Sequence, residues 1–373
     1  MHLVYDARHI AEPFTGLGRY SGELLTSLLA HHDALNLRLT VLLKQDWHDP
    51  NNLYERIIDQ ACSEGRCDVA RVPVHPISLK QHVTVGMWLN RCRPDAYFYP
   101  HFDAPLFTKV PTTFVVHDLI PLKIDGYIRR FGAIKRQYFK MMILLNLLKQ
   151  RTCFADSRTT LSDMLQFYPS HLHRKIQACL LGVSPPDLEE PDQSPCVQQP
   201  YLLYVGDRRP HKHIRRTIDI FRELTERWDY EGQLVLAGTT VNHDFDVDAY
   251  IGSNPRIQVL GNVNDKELNA LYRHADALML LSAYEGFGLP VVEASKWGRK
   301  VIVSDGGSLP EIAPSGSCIV PLQESTEQAA SRIAHYLASD AHPDGAAVTR
   351  AFSWEHAART IFPTAFCSAT SRQ

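Results

Sequence analysis

The chain of 373 residues has no Cys-x-x-Cys pair and no long apolar run, and each absence excludes a class of protein. Its eight cysteines are scattered, so we expect reduced thiols rather than a disulfide-stapled secreted scaffold. The longest apolar run, MMILLNLL at 141–148, is far shorter than a membrane span. The first residues, MHLVYDARHI, lack the basic segment and apolar stretch of a secretory signal. We therefore predict a cytoplasmic protein.

Net charge and metal-binding motifs are also scarce. The 39 Lys and Arg residues nearly balance the 41 Asp and Glu residues, so the net charge of −2 provides no global field that would attract a nucleic acid. The 18 histidines show neither a His-Glu-x-x-His motif nor a Cys/His ligand spacing. We expect no nucleic-acid partner and no bound metal ion.

What the sequence does contain is an alternation of short apolar runs with helical segments, which predicts parallel βα units. Two α/β domains are expected for this length, each a Rossmann-like, doubly wound sheet. The apolar runs that predict buried strands lie at 3–7, 37–43, 96–100, 112–118, 201–206, 233–238, 257–261, 277–282 and 300–305.

A segment rich in proline and acidic residues, GVSPPDLEEPDQSPCVQQP at 182–200, separates the two halves. We predict an N-terminal domain over 1–185, a linker over 186–200 and a C-terminal domain over 201–350. Residues 351–373 are expected to form a C-terminal helix and tail, and their return to the N-terminal domain is an open alternative. Ligands of open α/β sheets lie outside the carboxyl ends of the strands, so we expect a site between two such edges.

The most informative segment is AYEGFGLPVVEAS at 283–295, which directly follows an apolar strand. Pro290 suits the first turn of a helix, and Gly286 and Gly288 free the backbone in front of it. The amides at this helix start can bind a phosphate without a basic side chain. We place them at Phe287, Gly288 and Leu289.

Two carboxylates flank these amides. Glu285 precedes the predicted turn, and Glu293 follows about one turn inside the helix. Carboxylates do not bind phosphate, but they accept hydrogen bonds from neighbouring hydroxyl groups of a sugar ring or a ribose. Phosphate donors beside two carboxylates indicate a sugar nucleotide as the ligand.

The Glu, seven residues, Glu pattern of EGFGLPVVE resembles the hallmark of the retaining GT-B glycosyltransferases of family four, also called glycosyl transferases group 1. The resemblance covers almost the whole chain and is similar in detail to bacterial mannosyltransferases of lipopolysaccharide and exopolysaccharide assembly. It implies a GT-B fold, in which two Rossmann-like domains face each other across a cleft. The further segments that carry it are, in order, VYDAR, TGLGRYSGELL, VVHDLIPL, ADSRTTLSDM, LLGVS, YLLYVGDRRPHKHIRR, VIVSDGGSLPE and FSWEHAA.

The resemblance also implies roles for single residues. Glu285 would hold hydroxyls of the donor sugar, and Glu293 would hold the ribose. Lys212 would neutralise the leaving diphosphate together with Arg208 or Arg209, both of which remain candidates because the arginine spacing varies in the family. The other implied donor contacts are Gly16, Gly18, Gly206, Val263, Phe287, Gly288 and Leu289.

His117 ends an apolar strand in VVHDLIPL, at the edge where α/β sites are built. A structural role is compatible with a lone histidine, whereas the resemblance implies contact with the donor sugar and support of its developing positive charge. Asp118 is expected to orient a neighbouring backbone. Further along, Asp265 is expected to cap the helix after GNVN, a segment that resembles the reader of the nucleotide base.

The glycines of TGLGRYSGELL are expected between a strand and a helix, close to the donor diphosphate. Gly16, Gly18 and Gly22 form G-x-G-x-x-x-G, which is one residue longer than the dinucleotide fingerprint and disfavours an NAD site. Arg19 and Tyr20 are then candidates for contact with the acceptor.

The sequence thus predicts a retaining, metal-independent glycosyltransferase that needs no cofactor beyond its nucleotide-diphosphate sugar co-substrate. The motifs favour GDP-mannose as donor and a saccharide or polyprenyl-linked saccharide as acceptor in bacterial surface polysaccharide synthesis. A UDP-sugar donor, a phosphorylase- or epimerase-like activity and a noncatalytic scaffold subunit remain alternatives.

The stretch 127–151 mixes cations with apolar residues at helical spacing. It fits a domain helix with a buried stripe, and it also fits a helix at a bilayer surface. With a lipid-linked acceptor, the second alternative predicts peripheral contact with the inner face of the cytoplasmic membrane.

Overall fold

The computed structural model divides the chain into two compact units. Unit 1 comprises Met1–Leu122, Phe131–Gly182 and Ser353–Gln373, and unit 2 comprises Lys123–Arg130 and Val183–Phe352. The predicted linker 186–200 lies outside the described residues except at positions 197, 199 and 200. The structure describes residues 1–11, 16–31, 37–149, 151–185, 197, 199–238 and 246–363, with the backbone alone at 125–131.

Unit 1 contains a seven-stranded parallel sheet with the strand order β3-β2-β1-β4-β5-β6-β7. The order reverses between β1 and β4, which makes these strands the topological switch point of the sheet. The strands are β1 His2–Asp6, β2 Arg38–Lys44, β3 Asp68–Val72, β4 Ala96–Tyr99, β5 Thr112–Val116, β6 Thr152–Ala155 and β7 Ile176–Ala178.

Helices cover both faces of this sheet. The helices along this part of the chain are α1 Gly16–Ala30, α2 Leu53–Ser63, α3 Leu79–Cys92, α4 Ile120–Lys123, α5 Asp125–Leu148 and α6 Arg158–Phe167, with 3-10 turns at Arg8–Ala11 and Ser170–Lys175. Side chains of successive strand residues point to opposite faces. Val4 therefore joins the core cluster that includes Ile143 of α5, while Tyr5 packs on Phe98, with ring centroids 4.9 Å apart.

Unit 2 contains a six-stranded parallel sheet with the order β10-β9-β8-β11-β12-β13, which reverses between β8 and β11. Its strands are β8 Tyr201–Val205, β9 Gln233–Ala237, β10 Ile257–Val259, β11 Ala277–Leu280, β12 Lys300–Ser304 and β13 Cys318–Val320. Its helices are α7 Ile214–Arg227, α8 Val247–Ile251, α9 Asp265–His274, α10 Leu289–Ser295, α11 Leu309–Ile312, α12 Thr326–Ala338 and α13 Gly345–Ala351, with a 3-10 turn at Pro210–Lys212.

The last described helix, α14 (Trp354–Ile361), packs on α1 in unit 1. Trp354 contacts Tyr20 edge to face, with ring centroids 5.9 Å apart. A Cβ atom at Gly182 would lie 2.2 Å from the Trp354 nitrogen, so only glycine permits this approach of the backbone. The helix therefore closes the layer that covers one face of the unit 1 sheet.

The predicted α/β class with two Rossmann-like parallel sheets is confirmed, and every apolar run predicted as a strand forms one. Helix capping differs from prediction in α9, where Asn264 rather than Asp265 is the N-cap. The Asn264 side chain accepts from the Glu267 amide while the Glu267 carboxylate accepts from the Asn264 amide. Asn264 is favoured over Asp265 as the N-cap because its reciprocal capping box with Glu267 satisfies two backbone donors.

The helical prediction for 127–151 is confirmed by α5, with an interruption at Gly132. Its apolar side chains Phe139, Met142, Ile143 and Leu147 are buried in unit 1. Among the helices of the described residues, none combines the length and apolar character that a membrane span requires.

Candidate functional site

The chain leaving β8 and the chain leaving β11 meet at the switch point of unit 2. The 3-10 turn Pro210–Lys212 follows β8, and the segment 281–288 follows β11. The Ala283 amide donates to the His211 carbonyl at 2.7 Å and joins the two loops directly. This is the edge where ligands of open α/β sheets bind.

At this edge Lys212 and Glu285 form an ion pair. Lys212 Nζ lies 2.6 and 2.8 Å from the two carboxylate oxygens of Glu285, and Ser282 Oγ donates to Glu285 Oε1 at 2.5 Å. The two charged side chains are 14% and 10% exposed. The structure thus brings two predicted site residues into contact and leaves each as the counter-ion of the other.

The two candidate arginines differ in what they already bind. Arg209 Nε donates to Asp207 at 2.6 Å. Burial alone would raise the pKa of Asp207, but the hydrogen bond and charge of Arg209 lower it to about 2. Arg208 is 6% exposed, and its Nη2 atom has no hydrogen-bond partner among the residues that the structure describes. Arg208 therefore carries the unsatisfied donor, while Arg209 is committed to Asp207.

Burial also affects the charge of Arg208. It lowers the pKa of the guanidinium, and Asp248 and Tyr204 oppose that effect. A buried cation with an open donor is stabilised by an anion that reaches it. Arg208 is thus suited to an anionic ligand at the end of β8.

The backbone of Glu285 is fixed by the loop that follows β12. The Ser308 amide and hydroxyl both donate to the Glu285 carbonyl, at 3.1 and 3.0 Å. Gly307 has φ 59°, and a Cβ atom there would lie 2.6 Å from the Glu285 nitrogen and oxygen. The Gly-Gly-Ser loop after β12 therefore supports Glu285 through close backbone approach.

The helix start predicted in EGFGLP is present. Gly288, with φ 104°, precedes α10, and Pro290 lies in the first turn. Glu293 lies inside α10, is 8% exposed and accepts a hydrogen bond from Tyr272 Oη at 2.7 Å. Phe287 is buried and packs edge to face on Phe352, with ring centroids 5.8 Å apart.

The remaining predicted donor contacts of unit 2 are backbone positions. Gly206 follows β8 with φ 149°, and its amide donates to the Ala237 carbonyl at 3.0 Å. Val263 lies half-buried in the loop before α9. Leu289 is the first residue of α10.

In unit 1, His117 follows β5 and has hydrogen bonds at both ring nitrogens. Nδ1 lies 2.6 Å from Asp156 Oδ2, and Nε2 lies 2.7 Å from the Pro100 carbonyl. Burial alone would lower the pKa of His117, but the charge and hydrogen bond of Asp156 raise it above the ordinary value. Two acceptors on one imidazole require a hydrogen on each nitrogen, which is the protonated form.

This geometry does not support the role that resemblance implied for His117. A protonated imidazole repels a developing positive charge on a sugar, and both of its hydrogen atoms are donated to protein acceptors. Asp118, by contrast, orients the backbone as predicted, because it accepts from the Ile120 amide at 2.9 Å.

The segment near the amino end of α1 also differs from its prediction. Gly16 and Gly18 lie inside the first turn of α1 rather than in a loop before it. Tyr20 is 2% exposed and packs edge to face on His117, with ring centroids 4.8 Å apart, so it supports this histidine instead of presenting a surface to an acceptor. Arg19 is half-buried in the same turn.

Sequence reasoning missed the histidine nearest to His117. His101 follows β4, its Nδ1 lies 2.5 Å from Asp103 Oδ1, and its ring centroid is 6.4 Å from that of His117. The signal was available, because His101 directly follows the apolar run predicted as a strand at 96–100, and His117 lies near the end of the run at 112–118. Ser282 was missed as well, since a serine beside a carboxylate carries no pattern of its own.

Metal ligands receive no support from the described part of the chain, where no group of three His, Cys, Asp or Glu side chains could hold a metal ion. Asp246 and Asp248 have the Asp-x-Asp spacing that binds metals in other proteins. Asp246, however, is the N-cap of α8 and accepts from the Ala249 amide at 3.0 Å.

Residues 188–347 match the family model described as glycosyl transferases group 1. The O-antigen chain mannosyltransferase B of Escherichia coli is 25% identical over 377 residues, which cover 95% of this chain and 97% of that protein. The O-antigen chain mannosyltransferase RfbU of Salmonella typhimurium is 25% identical over 62% of each chain.

Among solved structures, Alr3699/HepE of Anabaena in complex with UDP-glucose superimposes with a TM-score of 0.67. The two sequences are 15% identical, and the match covers 98% of this chain and 99% of HepE. The likeness confirms the two Rossmann-like α/β domains of the predicted GT-B fold.

Proposed function

We propose that this chain is a retaining, metal-independent glycosyltransferase that transfers mannose from GDP-mannose, since residues 188–347 match the model of the glycosyl transferases group 1. The acceptor in this proposal is a saccharide or polyprenyl-linked saccharide of bacterial surface polysaccharide synthesis. Two O-antigen mannosyltransferases among its relatives favour mannose.

The observation that carries the proposal is the cation and carboxylate pair at the switch point of unit 2. Lys212 and Glu285 lie 2.6 Å apart at the ends of adjacent strands, and the unsatisfied donor of Arg208 belongs to the same loop as Lys212. A nucleotide-diphosphate sugar supplies a partner for each group, since its phosphates bind cations and its hydroxyls bind a carboxylate. When the donor binds, Lys212 exchanges the Glu285 carboxylate for a phosphate, and Glu285 exchanges Lys212 for sugar hydroxyls.

In the proposed reaction, the bond between the anomeric carbon and the diphosphate oxygen breaks, and an acceptor oxygen bonds to the same face of that carbon. The hydroxyl proton passes to the leaving diphosphate. Lys212 and Arg208 stabilise the charge that develops on the diphosphate, which is the part that a metal ion takes in other enzymes. Turnover is therefore expected to survive EDTA.

Thermal unfolding of the purified protein with GDP, GDP-mannose, UDP and UDP-glucose tests the donor assignment. A ligand that binds only the folded state stabilises that state by about 2.7 kcal/mol when its free concentration is about 100 times its Kd. We expect GDP and GDP-mannose to raise the Tm of wild type and of the surface variant Lys266→Met, and to have little effect on Lys212→Met. A shift with UDP ligands alone would redirect the donor to a UDP-sugar, and no shift with any nucleotide would favour a scaffold.

Peripheral contact with a membrane is the second part of the proposal, and helices α3 and α5 support it. His82 of α3 lies within hydrogen-bond distance, 3.3 Å, of Tyr138 of α5. Residues 79–92 and 132–149 contain no Asp or Glu. The exposed residues of these segments include Leu79, Lys80, Val83, Met87 and Arg91 in α3 and Ile134, Lys135, Lys140, Met141 and Leu148 in α5.

Exposed apolar residues among cations, without acidic residues, are typical of surfaces that bind anionic lipid. We expect the protein to sediment with phosphatidylglycerol vesicles at low salt and to stay in the supernatant with phosphatidylcholine vesicles. The double variant Met87→Glu/Met141→Glu should lose sedimentation, because it places acidic charge on both helices. Equal binding of both proteins to both vesicles would contradict this surface.

A further inference from the structure

Three histidines lie together at the carboxyl edge of the unit 1 sheet. His9 follows β1, His101 follows β4 and His117 follows β5, so the first two flank the switch point of the sheet. The ring centroids of His9 and His101 are 5.4 Å apart, and those of His101 and His117 are 6.4 Å apart. The edge is thus the unit 1 counterpart of the place where Lys212 and Glu285 lie in unit 2.

His101 is held from one side only. Its Nδ1 atom lies 2.5 Å from Asp103 Oδ1, so this nitrogen carries the hydrogen. Asp103 is fully buried, accepts a hydrogen bond from Gln81 Nε2 at 3.1 Å and lies 3.2 Å from Tyr99 Oη. Gln81 in turn accepts from Arg8 Nη2 at 3.0 Å. A buried network therefore fixes the orientation of the His101 ring.

The other side of the His101 ring remains available. Within the residues that the structure describes, Nε2 makes no hydrogen bond, and 16% of the side chain is exposed. His117 differs, because both of its nitrogens are bonded. His9 differs as well, because it is 1% exposed and burial lowers its pKa well below the ordinary value. Of the three histidines, His101 alone combines a free nitrogen with exposure.

The surroundings of His101 favour a neutral, hydroxyl-bearing ligand. The buried Arg8 is paired with Asp6 at 2.7 Å, and the protonated His117 is paired with Asp156 at 2.6 Å, so neither of these cations is available to an anion. The half-buried ring of Phe102 lies against His101, with centroids 4.4 Å apart, and adds an apolar face. A sugar combines hydroxyl donors with an apolar ring face, so it matches both features.

We propose that His101 binds the acceptor saccharide, with Nε2 accepting a hydrogen bond from one of its hydroxyls, and that it thereby contributes to acceptor specificity. This inference rests on the proposed function, because it takes the acceptor of that reaction as its ligand. Asp103 is a positioning residue that keeps the hydrogen on Nδ1 and the lone pair on Nε2. His117 donates a hydrogen bond to the Pro100 carbonyl and thereby supports the chain at the end of β4.

The test compares two amide substitutions that reach different ring atoms. The glutamine of His101→Gln places its terminal amide near the position of Nε2, whereas the asparagine of His101→Asn reaches only the position of Nδ1. We expect His101→Asn to raise the KM for acceptor about tenfold, as one lost hydrogen bond to a substrate would do, and His101→Gln to retain most of the affinity. A merely structural role would favour the asparagine, which keeps the bond to Asp103.

The assay uses GDP-mannose with methyl α-mannoside, methyl α-glucoside, octyl α-mannoside and N-acetylglucosamine, and the best acceptor for wild type is the probe for all variants. The exposed His171 of the same unit provides the control His171→Ala, which should match wild type. An unchanged acceptor KM in His101→Asn, or a raised KM for GDP-mannose alone, overturns the assignment of His101. If wild type transfers mannose to none of the four sugars, the proposed function is contradicted, and the assignment of His101 as an acceptor-binding residue is contradicted with it.

Discussion

At the scale of single residues, Lys212 is the charged partner of the Glu285 carboxylate. The Glu285 carboxylate is 10% exposed and has one further hydrogen-bond donor, Ser282, among the contacts described above. Removal of one member of a buried pair leaves an uncompensated charge, whereas removal of both members often restores stability. The pair therefore predicts different outcomes for stability and for activity.

We expect Lys212→Met to lower the free energy of unfolding by about 3 kcal/mol and kcat/KM by at least about 100-fold. The double variant Lys212→Met/Glu285→Gln should regain most of the stability and none of the activity. Urea unfolding and GDP release measure the two effects. A double variant as unstable as Lys212→Met would show that the lost stability does not come from the unpaired Glu285 carboxylate.

His117 makes stability depend on pH through its contact with Asp156. Its pKa is raised in the folded protein, so its contribution to stability is fully present below the unfolded pKa of about 6.5 and is lost as pH rises through the folded pKa. The difference in unfolding free energy between wild type and His117→Gln should therefore shrink as the pH rises from about 6 to about 9. Urea titrations at several pH values measure it, and a difference that grows with pH would contradict the assignment of Asp156 as the partner.

The same residues show what the sequence could predict about the site. Glu285, Lys212 and Glu293 could be predicted as site residues because they occupy fixed places in a motif beside a strand end. The pairing of Lys212 with Glu285 could not be predicted, because these residues are 73 positions apart and meet only when β8 and β11 become neighbours. Likewise, the second acceptor on His117 is a backbone carbonyl, which leaves no trace in a side-chain pattern.

At the scale of elements, two loops at the edge of the unit 2 sheet depend on each other. The loop after β12 supports the backbone of Glu285 through Ser308 and Gly307. Gly316 offers a comparison, since it also has a positive φ, 85°, but a Cβ atom there would meet nothing within 4 Å. Both alanine substitutions force a strained backbone, at about 1–2 kcal/mol each.

We expect Gly307→Ala to displace Glu285 and lower kcat/KM by at least about tenfold, because a Cβ at 2.6 Å from backbone atoms cannot be accommodated without movement. Gly316→Ala should lose stability alone and keep its kcat/KM. Steady-state kinetics and urea unfolding of the two variants separate the effects. The same kcat/KM in both variants would mean that the loop after β12 does not position Glu285 in the loop after β11.

Strand prediction succeeded where strands are buried and failed mainly at sheet edges. The strands that the apolar runs did not predict are β3, β6, β7 and β13, and three of these are edge strands. DVARV of β3 has polar residues at Asp68 and Arg71 and buries Val72 alone, because it lies at the edge of the sheet, so it shows no continuous apolar run. β6 is central, but its four residues, TCFA, begin with a polar threonine and include no Val, Ile or Leu, so they show no aliphatic run.

At the scale of the whole molecule, the main segment of unit 2 begins at Val183 and ends at Phe352. The Val183 amide donates to the Phe352 carbonyl at 3.0 Å, so the two crossing points are neighbours. Unit 1 is consequently assembled from segments at both ends of the chain. Its stability depends on α14, which is far from the rest of the unit in sequence.

We expect Trp354→Ala to lower the thermal transition of unit 1 and to leave that of unit 2 unchanged, because loss of a buried aromatic side chain costs about 3–5 kcal/mol. Calorimetry with and without GDP distinguishes the two transitions, since the nucleotide should raise that of unit 2. His356→Ala, an exposed position on the same helix, should behave as wild type. A uniform shift of a single transition would show that the units unfold together.

The return of α14 to unit 1 also sets an order of events during synthesis. Val183–Phe352 is one continuous stretch, so most of unit 2 leaves the ribosome as an uninterrupted segment. Unit 1 starts first, yet the surface of α1 that receives Trp354 stays uncovered until residues beyond 352 have emerged. Domains generally fold as units during translation. The half of the protein that is made first is therefore the half that is completed last.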